Sequence, residues 1–132
     1  MAPMDLVEFL RARLAKDEQI ARACDGASWA ASPSGTVHLD TPDGGPSEPR
    51  FVASVENGAC AEHIARYDPA RALLEVAARR RIIDDYEKGA WVLEQGHRTE
   101  AGEAAHAARL ETLRLLALAY AQHPEFRPEW RP

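Results

Sequence analysis

The sequence predicts a mainly α-helical protein with a minor β element. Apolar side chains recur at three- and four-residue steps near both ends and in the centre of the chain, whereas turn-forming residues concentrate in residues 27–58. Alanine makes up 25 of the 132 residues, which favours closely packed helices around a thin core. The length suits one core, so we expect residues 1–132 to form a single domain.

The first predicted helix begins at Asp5, which is followed three residues later by Glu8 in the pattern of a capping box. The helix should end at Asp25-Gly26, because glycine takes the left-handed C-terminal position without steric cost. The apolar stripe of this helix is predicted to comprise Leu6, Phe9, Leu10, Leu14, Ile20 and Cys24.

The turn-rich section is predicted to hold a short antiparallel β-hairpin or meander. Candidate strands lie at residues 28–31, 36–40 and 50–55, and the last of them alternates Phe51, Ala53 and Val55 on one face. The proline- and glycine-rich residues 41–49 then form the tip of a hairpin between the second and third strands.

A short helix over residues 59–66 and two long antiparallel helices are predicted to follow. Asp68-Pro69 is a well-matched helix start, and this helix either breaks at Gly89 or continues to Gln95 and stops at Gly96. The last helix should run from Thr99 to Gln122 and end at His123-Pro124.

The last helix is apolar over much of its surface, which predicts contact with a protein partner or with a second copy of the chain. We also expect the tail over residues 124–132 to be ordered, since it carries two large aromatic side chains. The predicted contact surface comprises Leu110, Leu113, Leu116, Tyr120, Phe126 and Trp130. Leu115, Leu116 and Leu118 are predicted to widen the helix's core stripe.

Composition excludes several classes of protein. The net charge of -5 argues against a general binder of nucleic acid, and Arg79–Arg81 point in too many directions around a helix to face one partner. No apolar run approaches the roughly 20 residues that cross a bilayer, so we expect a cytoplasmic protein. Cys24 and Cys60 fit no disulfide framework and are expected to be reduced, buried thiols.

The densest polar constellation is predicted to lie at the junction of two helices, and it comprises His63, Arg66, Asp68 and Arg71. The free N–H groups at the helix start, together with the basic side chains, could bind an anionic or nucleotide-like molecule. The competing interpretation is structural: Asp68 caps the helix, His63 packs at the junction, and an arginine pairs with a neighbouring carboxylate.

No other motif predicts chemistry, and we expect no cofactor, no catalytic residue and no bound metal. Cys60 and His63 have a zinc-like spacing, to which Cys24 or His123 could add a third ligand, but two ligands do not make a site. Glu103 and His106 lie one turn apart without a second matching pair, so His106 is expected on the solvent-facing side of its helix.

Three segments of the chain carry a resemblance to a known family: residues 5–14, residues 61–75 with Arg80–Ile82, and residues 113–130. In this order they resemble a family of small uncharacterised proteins of actinobacteria and their phages. Many members carry closely spaced cysteines where this chain has residues 89–111, and their absence here means that no metal role carries over. The resemblance therefore implies no activity.

The sequence thus favours a non-catalytic accessory or regulatory protein that binds another protein, with a homodimer built on the last helix as one form of this hypothesis. The alternative is a binder of a small anionic or nucleotide-like ligand at the His63, Arg66 and Arg71 junction. An enzyme ranks third, because no catalytic constellation is visible.

Overall fold

A computed structural model of the chain describes residues 5–40 and 50–132. Within these residues the fold is mainly α with a minor β element, as predicted. In chain order the elements are α1 (Leu6–Ala23), β1 (Trp29–Ala31), β2 (Thr36–Leu39), β3 (Phe51–Ser54), α2 (Gly58–Arg66), α3 (Pro69–Glu94) and α4 (Glu100–Ala117). Two short 3-10 turns follow, at Leu118–Tyr120 and Pro128–Trp130.

The chain divides into two compact units. The first comprises Met1–Ala15 and Ala77–Pro132, and the second comprises Lys16–Val76. Helices α1 and α3 each contribute residues to both units. A single domain over residues 1–132 stays a prediction.

Helix α1 begins and ends where the sequence predicts. The Asp5 carboxylate accepts the Glu8 backbone N–H at 2.7 Å, and Gly26 has a φ of 60° just beyond the C-terminus. The stripe of Leu6, Phe9, Leu10 and Leu14 is buried, but its predicted extension is wrong: Ile20 is 53% exposed and Cys24 is exposed. Ala21 is buried instead, because it lies two helical turns beyond Leu14.

The second unit contains a three-stranded antiparallel sheet in the order β1-β2-β3. This confirms the predicted pairing of the second and third strands; the tip over residues 41–49 lies outside the described residues. Val37 on β2 is fully buried against Ala61 and Ala65 of α2. Trp29, Ala31 and Val55 pack around them, so α2 covers one face of the sheet.

A register shift between Val37 and His38 overturns the predicted alternation of β3. Val37 pairs with Ala53 and His38 pairs with Phe51, so Val52 is an extra residue on β3. Both Val52 and Ala53 therefore pack against the buried cluster of Val37, Ala61 and Ala65. Phe51 was predicted to share a face with Ala53 and Val55, but it is 68% exposed whereas those two residues pack against the cluster.

Helices α3 and α4 form the predicted antiparallel pair in the first unit. The ring of Tyr86 stacks on that of His106, and a Cβ on Gly102, much nearer the turn, would lie 3.9 Å from the Leu93 side chain. Gly89 does not interrupt α3, which continues to Glu94 and is followed by Gly96 with a φ of 85°. Thr99 caps α4 by accepting the Gly102 N–H at 2.9 Å.

The end of α4 differs from the sequence prediction. The α-helix stops at Ala117 rather than Gln122, because the next turn tightens into a 3-10 conformation with i→i+3 hydrogen bonds. Leu113 and Ala117 are buried, whereas Leu115 and Leu118 are 54% and 39% exposed and do not widen the core stripe.

The C-terminal tail packs on α1 within the first unit. The Phe9 ring lies between 4.9 and 6.3 Å from four rings of the last segment, those of Tyr120, His123, Phe126 and Trp130. Trp130 is 7% exposed and Phe9 is fully buried. Of the predicted contact surface, Leu113 and Trp130 are therefore covered by the chain itself.

The expectation of buried thiols is wrong, because Cys24 and Cys60 are both exposed and neither forms a disulfide. Cys24 lies just past the end of α1, and Cys60 lies in the first turn of α2 on the face away from Ala61 and Ala65. In the described parts of the chain, no helix combines the length and the apolarity needed to span a bilayer.

Candidate functional site

The Asp68 carboxylate is bound by two backbone N–H groups of the second unit. One oxygen accepts the Arg71 N–H at 2.8 Å and so caps α3, as the Asp-Pro pattern predicts. The other accepts the Trp29 N–H at 3.0 Å and thereby joins the start of β1 to the start of α3. Both carboxylate oxygens of Asp68 are therefore engaged in hydrogen bonds to the backbone.

The basic side chains of the junction lie close together, but each arginine has a local carboxylate partner. Arg66 bonds to Glu62 at 2.9 Å, and Arg71 bonds to Glu75 at 2.8 Å, both one helical turn away. The hydrogen bond to Glu75 raises the pKa of the Arg71 guanidinium.

The Tyr67 ring fills the space between the basic side chains of the junction. The Arg71 guanidinium lies 4.3 Å from the ring centroid, and the His63 ring lies 4.8 Å from it at an angle of 35°. The structure therefore brings the four predicted residues to one junction in the arrangement that the structural interpretation expects. Anion binding there stays a prediction, and it would require Arg66 or Arg71 to change partners.

The residues considered as metal ligands are not assembled into a site. Among residues 5–40 and 50–132, no three His, Cys, Asp or Glu side chains are placed to hold a metal ion. His106 was expected on a solvent-facing surface, but it is half-buried and stacks on Tyr86 at 4.8 Å. The cause is the antiparallel packing of α4 on α3, which leaves the His106 Nδ1 atom buried without a hydrogen-bond partner.

A surface groove lies between the N-terminal turns of α1 and the C-terminal turns of α3, entirely within the first unit. Its volume is about 560 Å³. Val7, Ala90 and Trp91 are the apolar residues of its lining, and the Trp91 side chain is 61% exposed. We call this feature the Trp91 groove; its lining is completed by Asp5, Glu8, Arg11, Glu87 and Glu94.

Arg11 lies in the lining of the Trp91 groove and links the two helices that form it. Its guanidinium bonds to Asp84 at 2.9 Å and to Glu87 at 2.8 Å, so it ties α1 to α3. These two hydrogen bonds raise the pKa of Arg11. The single basic side chain in the lining is therefore already paired with two carboxylates.

Sequence reasoning did not find the Trp91 groove. Trp91 follows Glu87 by four residues and Asp84 by seven, which places a large aromatic side chain on a charged helix face. That mismatch is the signal that could have drawn attention to it. The partner helix and the depth of the groove depend on how α1 packs on α3, which no local pattern reports.

The described elements define a small helical protein with a three-stranded sheet, whose surface carries an acidic groove with an exposed tryptophan. The chain belongs to a family of unknown function, DUF6221, whose model matches residues 3–132. Comparison with curated proteins found no match. Comparison with solved structures also found none.

Proposed function

We propose that this chain is a non-catalytic accessory protein that acts by binding a partner protein in the Trp91 groove. The observation that carries the proposal is the 61% exposure of Trp91, which lines the groove beside Val7 and Ala90. Contact between the apolar indole ring and water is unfavourable, so a partner that covers the ring gains free energy. Tryptophan is among the residues that contribute most to binding at protein interfaces.

Site-specific photo-crosslinking in the native host tests this proposal. A photoreactive phenylalanine analogue replaces Trp91, and the same analogue replaces Leu74 as the control, because Leu74 is 73% exposed on the same helix but lies outside the groove. We expect a discrete adduct with a protein at position 91, which excess unlabelled wild-type protein competes away.

No adduct at position 91, or the same adducts at positions 91 and 74, would overturn the proposal. Both variants should keep the thermal denaturation midpoint of the wild type, since neither side chain is buried. That measurement separates loss of binding from loss of folding.

A cytoplasmic location and an actinobacterial or phage origin are part of the same proposal. Exposed free thiols at Cys24 and Cys60 fit a reducing compartment, where they do not pair between molecules. Of the sixteen basic residues only Lys16 and Lys88 are lysine, which fits the coding bias of a GC-rich genome. Sequencing the genes that flank this one in its genome tests the origin.

A further inference from the structure

Building on the proposed function, we infer that the segment which occupies the Trp91 groove is an amphipathic helix with lysine or arginine side chains beside its apolar face. The inference rests on three features of the groove: its charge, the unbalanced end of α3, and its shape.

The local sources of positive charge in the groove are each offset by carboxylates of the chain itself. The N-terminus of α1, which is the positive end of its dipole, carries Asp5 and Glu8. Arg11 is bonded to Asp84 and Glu87. Among the lining residues that the structure describes, these pairs leave no positive charge to offset a further carboxylate.

Glu94 is that further carboxylate. It lies in the last turn of α3, the negative end of the helix dipole, and it forms no ion pair in the described structure. Helices α1, α2 and α4 each have a basic residue in the last turn, whereas α3 has none. A cation from outside the chain would therefore meet both an unpaired carboxylate and an uncompensated helix end.

The shape of the groove fits a helix. It lies between two antiparallel helices, and the lining part of α3 from Glu87 to Glu94 is about 10 Å long at 1.5 Å per residue, which matches about two turns of a docked helix. Val7, Ala90 and Trp91 would contact its apolar face. A second copy of this chain is a poorer occupant, because its net charge of -5 repels an acidic groove.

Calorimetric titration of the full chain with two short amphipathic peptides tests the inference. The peptides share leucines at helical spacing and differ only in carrying lysine or glutamate on the polar face. We expect the lysine peptide to bind at least about tenfold more tightly than the glutamate peptide, and its affinity to fall as salt rises.

Two pairs of variants locate the binding. Trp91→Ala should weaken the lysine peptide by at least about tenfold, whereas Leu74→Ala should leave it unchanged. Glu94→Arg should weaken it about fivefold or more while raising the thermal denaturation midpoint, since a basic residue suits the helix end. Glu56→Arg, the same charge change at an exposed position outside the groove, should have at most a small effect.

The outcomes separate the inference from the proposed function. If both peptides bound equally well and Trp91→Ala weakened both, the inference of a basic partner helix would be wrong. The proposal that a partner binds in the Trp91 groove would still hold. Binding that Trp91→Ala does not weaken, or that Glu56→Arg weakens as much as Glu94→Arg, would show adsorption by net charge and would overturn both.

Discussion

The Asp68 carboxylate joins two elements by satisfying one backbone N–H from each, those of Trp29 and Arg71. The sequence predicts the capping role, because an Asp-Pro step is a local signal. The bond to Trp29 spans 39 residues and arises only after the sheet has formed, so no local pattern could predict it.

Asp68→Ala should lower the free energy of unfolding by about 2–3 kcal/mol, because it removes a helix cap and leaves the partly buried Trp29 N–H without an acceptor. Asp68→Asn should cost only about half as much, since its amide oxygen can still cap α3. Urea denaturation measures both values, and equal losses for the two variants would contradict the double role.

Two glycine positions differ in whether they tolerate a side chain: the Gly89 position does, and the Gly35 position does not. Gly89 lies inside α3 at a negative φ, and an added Cβ would meet only the flexible end of Arg109 at 3.0 Å and otherwise nothing closer than 3.9 Å. Gly35 has a φ of 94°, and a Cβ there would lie 2.5 Å from the Val55 carbonyl oxygen.

At the scale of the helix, Gly89→Ala should therefore raise the free energy of unfolding by up to about 1 kcal/mol through helix propensity. Gly35→Ala should lower it by about 2 kcal/mol or more, because the turn before β2 would be strained. Chemical denaturation of both variants checks the signs, and a destabilised Gly89→Ala protein would mean that α3 is interrupted there after all.

The C-terminal tail should be a major source of stability for the first unit. Trp130→Ala removes a buried ring that lies 4.9 Å from Phe9 and 5.7 Å from Phe126, so it should cost about 3–5 kcal/mol. The matched control is Trp91→Ala, which removes the same side chain from an exposed position and should cost less than about 0.5 kcal/mol. If the two variants lowered the thermal denaturation midpoint equally, the C-terminal tail would not be a major source of stability.

At the scale of the whole molecule, self-association through the last helix stays a prediction. Leu113 and Trp130 of its predicted surface are covered, so we now place the contact on Leu115 and Leu118 of the same predicted helix, which are exposed. Light scattering of the wild type should then give twice the chain mass of 14.6 kDa, and replacing both leucines with glutamate should give the single-chain mass. A wild-type protein that stays monomeric at high concentration would contradict this dimer.

Local signals predicted most of the fold. Caps predicted at Asp5 and Asp68 located two helix starts, and the last helix begins at Thr99 as expected. Apolar spacing identified Leu10, Leu14 and Leu113 as core. The errors fell where packing decides: Phe51 is exposed by a bulge, His106 is covered by α3, and Cys24 lies beyond the buried face of α1. The candidate groove was missed for the same reason, since it exists only once α1 meets α3.

The bulge on β3 should also lower the tendency of the molecule to aggregate through the edge of its sheet. In the described sheet β3 is an edge strand with Phe51 largely exposed, which is the feature that invites strands of other molecules to add. The extra residue Val52 breaks the regular row of backbone hydrogen-bonding groups and bends the strand. The edge therefore offers an incoming strand no continuous template, even though its most apolar side chain faces water.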